Sequence, residues 1–138
     1  MEDQASALSD DWQPTCDLRA LRLRAQLLKS LRRFFEDQGY LEVETPLLSA
    51  DVVVDAHIDP FPVPSASGAV PRFLQTSPEA AMKRLLAADI GSIFQITKSF
   101  RQAERGSQHN PEFTILEWYG VGTSCFDQMD LTERLVQA

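Results

Sequence analysis

The sequence has 138 residues, 43% of them hydrophobic and 24% charged, with two cysteines, two histidines and a formal net charge of −7. That length and balance suit one soluble globular domain able to bury a sizeable core, and they exclude a disordered chain. Two cysteines, Cys16 and Cys125, are too few for a disulfide framework or a zinc site, and no apolar run approaches the roughly 20 residues of a membrane span.

Residues 1–16 read as a flexible leader. Their first eleven positions are polar and acidic, unlike a secretory signal or a transit peptide, so a cytoplasmic protein is expected. A helix is predicted over residues 17–38. Leu18, Leu21, Ala25, Leu28, Leu31 and Phe35 recur at three- and four-residue spacings and form one apolar stripe. Leu23, Leu27 and Phe34 widen the stripe, so the helix is expected to pack on two sides, and Gly39 stops it. The same stretch carries six basic and three acidic residues from Asp17 to Asp37. That basic face suits either solvent or an anionic partner; a net charge of −7 does not suit a general nucleic-acid binder.

Residues 40–45 alternate as a short strand closed by Pro46, with Leu41, Val43 and Thr45 on one face and the carboxylates Glu42 and Glu44 on the other. Residues 47–71 are rich in Pro, Asp, Ser and Ala. They read as a long loop with a strand expected only near residues 52–54. A short strand is predicted over residues 72–76. Ser77, Pro78 and Glu79 then supply helix-start chemistry: a hydroxyl cap, a proline at the first position and an acid in the first turn. That helix is expected to reach about residue 88, ahead of Gly91.

Residues 92–101 form the next predicted strand. Phe94, Ile96, Lys98 and Phe100 share one face; Ile93, Gln95, Thr97, Ser99 and Arg101 share the other. Residues 113–119 form a second strand, antiparallel to it across a polar loop, with Phe113, Ile115, Glu117 and Tyr119 aligned on a single face. A last helix is predicted over residues 126–136. The two strands bring a guanidinium to one end of a sheet surface and a carboxylate with a phenol to the other. Such a surface can hold phosphate oxygens in a fork, stack a base on a ring, and receive an ammonium group. Each residue also has a plainer role: Arg101 as a solvated strand end, Glu117 as an exterior side chain, His109 as a loop residue, Ser77-Pro78-Glu79 as a cap alone. The sequence contains no nucleophilic triad, metal cluster or Gly-rich phosphate loop.

The stretch Ser92-Ile-Phe-Gln-Ile-Thr-Lys-Ser-Phe-Arg101, with Arg105-Gly-Ser-Gln-His-Asn-Pro-Glu-Phe-Thr-Ile-Leu-Glu-Trp-Tyr119, resembles motif 2 of class II aminoacyl-tRNA synthetases of the lysyl type. Phe35-Glu-Asp-Gln-Gly-Tyr-Leu-Glu-Val-Glu-Thr-Pro46 resembles their motif 1. Gln75-Thr-Ser-Pro-Glu79 and Met82-Lys-Arg-Leu-Leu86 resemble the segment between. Within that family the likeness is to truncated lysyl-type paralogues that ligate (R)-β-lysine to elongation factor P. With the motif 1 helix starting near residue 17 no anticodon-binding domain is expected ahead of it, and Leu116-Glu-Trp-Tyr119 resembles the paralogues' wording.

The resemblance implies an α+β fold, the class II catalytic domain with an antiparallel sheet flanked by helices, of which residues 17–138 are the N-terminal half. It implies activation of lysine or β-lysine by ATP with Mg²⁺, whose ligands are expected outside this chain. Transfer to elongation factor P, a homodimer through the motif 1 helix, and no membrane or tRNA partner are implied with it. By the same resemblance Arg101 is the catalytic residue, bridging the α-phosphate and the substrate carboxylate. Gln102, Ala103, Glu104, His109, Asn110 and Phe113 join Arg101 around ATP, with Phe113 stacking on adenine. Ser77, Pro78 and Glu79 bind substrate, Glu79 at an amine, and Glu117 with Tyr119 recognises the side-chain ammonium.

Three departures stand out. The usual Phe-Arg-x-Glu becomes Phe100-Arg101-Gln102-Ala103-Glu104, which puts Ala103 where the acid should be. Gly120 replaces an expected polar or basic residue. No stretch resembles motif 3, with its arginine for the γ-phosphate, so the 138 residues alone are expected to be inactive. A fragment of a lysyl-tRNA synthetase, a non-catalytic paralogue acting as a binding module, and a truncated reading frame remain open on these grounds.

Overall fold

The computed structural model describes residues 14–64, 70–102 and 104–138, so most of the expected leader and Ala103 lie outside the described residues. Helix α1 spans Leu18–Asp37. Asp17 caps it from extended backbone, its carboxylate accepting the Ala20 N–H at 2.6 Å. At the other end Gly39 takes φ +80°, Gly39 N–H donates to Glu36 O and Tyr40 N–H donates to Phe35 O, each at 2.9 Å. This pair of bonds is a Schellman closure, which needs the left-handed conformation that glycine adopts without strain. The closure turns Tyr40 back onto Phe35, with the ring centroids 5.4 Å apart.

The chain then enters strand β1, Leu41–Glu42, which pairs in parallel with strand β5, Ile93–Phe100. Strand β6, Glu112–Tyr119, lies on the far side of β5, antiparallel, from Ile93 opposite Tyr119 to Phe100 opposite Glu112. The central sheet has the order β1-β5-β6. It is mixed, whereas an antiparallel sheet was expected. The edge strand runs parallel because the helix-to-strand turn at Gly39 sets its direction. It is also shorter than the expected 40–45, because backbone pairing to β5 extends only as far as the Val43 N–H, which donates to Phe94 O.

A second three-stranded sheet, wholly antiparallel, is made of β2 (Leu48–Ser49), β3 (Pro62–Val63) and β4 (Arg72–Leu74) in the order β2-β4-β3. The strand expected near residues 52–54 does not form; pairing falls instead on residues to either side. Strand β4 stops two residues before its expected end because Gln75 leaves the small sheet to bond to the large one. Its carbonyl accepts the Phe100 N–H at 2.9 Å and its side-chain Nε2 donates to Lys98 O at 2.8 Å.

Helix α2 covers Glu79–Ala87 and helix α3 covers Cys125–Gln137. Ser124 and Asp127 form a reciprocal capping box at the start of α3. The backbone and side-chain hydrogen bonds from Ser124 hold the Asp127 carboxyl below its ordinary pKa. No helix among the described residues is long and apolar enough to cross a membrane. Together the elements make an α+β architecture of three helices and two sheets.

The core lies on one face of the central sheet. Phe35, Tyr40, Phe94 and Leu131 are buried there, with Ile96, Leu116, Trp118 and Leu135 packed around them. Phe35 stacks on Phe94 at 4.9 Å and tilts against Trp118 at 5.3 Å. Helix α1 is buried chiefly through Phe35, near its C-terminal end, and does not pack on two sides as its pattern suggested. Leu18, Leu23 and Leu27 are 71%, 63% and 54% exposed.

The Gly120 departure has a packing explanation. A Cβ at that position would press on Gln128 Nε2, and would sit 2.6 Å from Tyr40 Oη and 2.7 Å from Thr123 Oγ1. Gln128 is the hub there, accepting from Trp118 Nε1 and donating to Thr123 and Tyr40.

Two substitutions separate apolar packing from polar burial. Phe35→Ala is expected to cost about 3–5 kcal/mol by urea unfolding, since it empties the centre of the core. Ser99 is fully buried and its Oγ has no partner among the described residues. Ser99→Ala is therefore expected to leave stability unchanged or raise it by about 1 kcal/mol. A clear loss would show that the hydroxyl is satisfied after all.

Candidate active site on the polar face of the sheet

The face opposite the core carries Ile93, Gln95, Thr97 and Ser99 from β5, beside Tyr119, Glu117, Ile115 and Phe113 from β6. Strand alternation alone puts these side chains together. Glu117 lies opposite Gln95 and is half-buried, so it is not an exterior residue. Its Oε2 accepts from Ser77 Oγ at 2.9 Å and its Oε1 accepts from Tyr119 Oη at 2.7 Å. Both donors are neutral. The carboxylate is held in place with no cationic partner among the described residues, which suits it to an incoming cation.

Tyr119 reports that charge. Burial, the hydrogen bond to Glu117 and the negative fields of Glu117 and Glu79 raise its pKa well above the ordinary 10.0. The Glu79 contribution brings that carboxylate into the same neighbourhood. Glu79 opens α2 and forms an ion pair with Lys83 one turn on. Ser77 joins the two acids: its Oγ donates to Glu117 and accepts the Glu79 N–H at 3.2 Å. The helix proper starts at Glu79 with Pro78 at the N-cap position, one residue later than expected, so Ser77 caps from just outside it. Pro78 is fully buried and acts through its fixed backbone.

Arg101 stands at the other end of the face. Its Nε donates to Thr76 O at 3.3 Å, its Nη1 pairs with Glu104 at 3.0 Å, and its guanidinium carbon lies 5.0 Å from the centre of the Phe113 ring. The displaced acid at 104 thus reaches back to the arginine. Gln102 is exposed and its backbone N–H donates to Asp59 O at 2.9 Å, while Ala103 lies outside the described residues. His109 and Asn110 are exposed on the connecting turn, where Gly106 and His109 form an isolated bridge. No side-chain hydrogen bond among the described residues ties either to the cluster. The structure therefore gathers Ser77, Glu79, Glu117 and Tyr119 at one end, and Arg101, Glu104 and Phe113 at the other. Glu42, on the exposed side of β1, is taken up by Arg32 at 2.9 Å.

Among the described residues no three His, Cys, Asp or Glu side chains converge as a metal cage. These residues do not fit a Mg²⁺ site of their own, and no step below is routed through that ion. Thr45, Gln75, Thr76 and Gln95, not among the expected site residues, are drawn onto or beside this face. Gln95 was visible as a polar member of the face bearing Arg101; the cross-strand register that seats it against Glu117 was not.

The chain matches the family model described as tRNA synthetases class II (D, K and N) over residues 15–138. It is 46% identical over 99% of its length to a protein of Sodalis glossinidius named elongation factor P–(R)-β-lysine ligase, of which it covers 42%. Proteins of the same name from Actinobacillus succinogenes and Erwinia tasmaniensis are 51% and 49% identical, over 93% and 99% of this chain and 41% and 42% of theirs. The chain thus spans about two-fifths of the length of these relatives.

The raised pKa of Tyr119 gives a pH prediction with a definite sign. The folded state holds the phenolic proton after the unfolded state has lost it. The stabilisation is therefore complete below about pH 10 and declines as pH rises toward the folded pKa. Ultraviolet titration should show one of the two tyrosines, Tyr40 and Tyr119, ionising abnormally late, and Tyr119→Phe should remove that step. Normal titration of both would contradict the Glu117 hydrogen bond.

Proposed function

The chain belongs to the class II tRNA synthetase family, in the group of the D, K and N enzymes, and on that premise we propose that it forms the amino-acid-binding side of an ATP-dependent ligase for lysine or β-lysine. The observation that carries this is Glu117, whose two oxygens accept from the neutral groups of Ser77 and Tyr119 and have no cationic partner among the described residues. A carboxylate at the end of the face away from Arg101 suits the distal amino group of a diamino acid. Arg101 lies over Phe113, four residues along β6 from Glu117, or about 13 Å of strand. That span accommodates an extended diamino acid with its carboxylate toward the guanidinium.

In the proposed reaction a substrate carboxylate oxygen attacks the α-phosphorus of ATP and pyrophosphate leaves. Arg101 stabilises the charge that develops between carboxylate and phosphate, an electrostatic contribution rather than a covalent one. Phe113 offers its ring to adenine. A lysine side-chain amine of elongation factor P then attacks the acyl carbon, forms an amide, gives up a proton and displaces AMP. The relatives' printed name supports this acceptor over tRNA. Magnesium, if it accompanies ATP here as in class II chemistry generally, would take its ligands from outside these residues. The uncovered leucines of α1 support a homodimer through that helix.

Pyrophosphate exchange tests the proposal. Exchange dependent on lysine or β-lysine is expected from a protein carrying this chain at the relatives' full length, and none from the 138 residues alone. Exchange by the short form would overturn the division of the site that we propose. In the long form Glu117→Gln should lower kcat/KM for lysine by about 100-fold, the loss of a charged hydrogen bond. Unchanged selectivity would remove Glu117 from the site. For α1, Leu23→Glu should convert a dimer to a monomer in sedimentation equilibrium.

A further inference from the structure

The polar cluster at Glu117 has a further member. Gln95 is 2% exposed and lies directly across the strands from Glu117. Its Oε1 accepts from Thr45 Oγ1 at 3.0 Å, while its Nε2 makes no hydrogen bond among the described residues. A side chain so deeply set, with one end pinned and the other unused, is poised for a ligand. Thr45 stands beyond β5 from Glu117, so the amide sits on the floor between them.

We propose that Gln95 contacts the substrate and helps to read the ammonium group at Glu117, an inference that rests on the amine reading of that pocket. An ammonium has three N–H donors and no acceptor. The Glu117 carboxylate meets one of them. Tyr119 Oη, whose hydrogen is committed to Glu117, keeps its lone pairs for a second. Gln95 Oε1 meets the third once the amide turns about its Cγ–Cδ bond.

Thr45 makes that turn possible without stranding a polar group. A hydroxyl both donates and accepts, so Thr45 Oγ1 donates to Oε1 in the empty site and accepts from Nε2 in the occupied one. A glutamate at 95 would instead set two carboxylates side by side, and an apolar residue would leave one ammonium hydrogen unmet in a dry site. The neutral amide therefore sharpens the choice of ammonium over methyl without adding charge.

Calorimetric titration of the 138-residue chain with L-lysine and with norleucine, which lacks the terminal ammonium, tests this. Gln95→Met and Thr45→Val are each expected to reduce the preference for lysine over norleucine about tenfold, while Thr45→Ser keeps it. An unchanged preference in both variants, or equal weakening of both ligands, overturns the role of Gln95. If the unaltered chain itself shows no preference for lysine, the amine reading of the pocket falls and the role of Gln95 falls with it.

Discussion

The structure depends on how α1 ends. Gly39 in the left-handed region closes the helix and throws Tyr40 back against Phe35. Phe35 then sits at the centre of an aromatic cluster with Phe34, Tyr40, Phe94 and Trp118. Those contacts do more than bury area. They fix the helix against β5 and β6 together, and they start β1 in the direction that lets it pair in parallel with β5. Once one face of the central sheet is filled in this way, alternation leaves the other face to Gln95, Glu117, Tyr119 and Phe113.

The two ends of that second face solve opposite electrostatic problems. Arg101 is paired at rest with Glu104 and lies over the Phe113 ring. Glu117 receives two hydrogen bonds from uncharged groups and has no cationic partner among the described residues. A carboxylate half-buried without a cation is costly to hold. Here the cost is offset by short bonds from Ser77 and Tyr119, and the residual field is what a positively charged ligand would meet. Gln75 ties the two ends into one frame. It bonds to β5 on one side and to Leu47 on the other, immediately before Thr76, whose carbonyl holds Arg101.

Much of this was legible in the residues. The α1 stripe, the stop at Gly39, both long strands and α3 follow from periodicity and end chemistry. So does the shared face of Glu117 and Tyr119, because the side-chain period of a strand is fixed. What was not legible depends on long-range pairing. The valines at 52–54 have strand composition but no partner, while Pro62-Val63 has poor composition and a partner in Phe73 and Arg72. The parallel edge of the central sheet, and the seating of Thr45 on Gln95, join residues 52 and 50 apart in sequence. The apolar width of α1 suggested two packed sides, yet only its last turns reach the core. A pattern of leucines states what a helix can bury, not what is present to cover it.

Gly120 carries a consequence for how this protein can vary. The space a side chain would need there is already held by Gln128, Tyr40 and Thr123, and each of these has other obligations: to Trp118, to Phe35 and to the Gly120 carbonyl itself. Restoring a side chain at 120 is therefore not a single step. It requires coordinated change at several positions spread from residue 40 to residue 128, each unfavourable alone. The glycine and the Gln128–Tyr40–Thr123 contacts are thus mutually dependent: each occupies the room that a side chain at 120 would take.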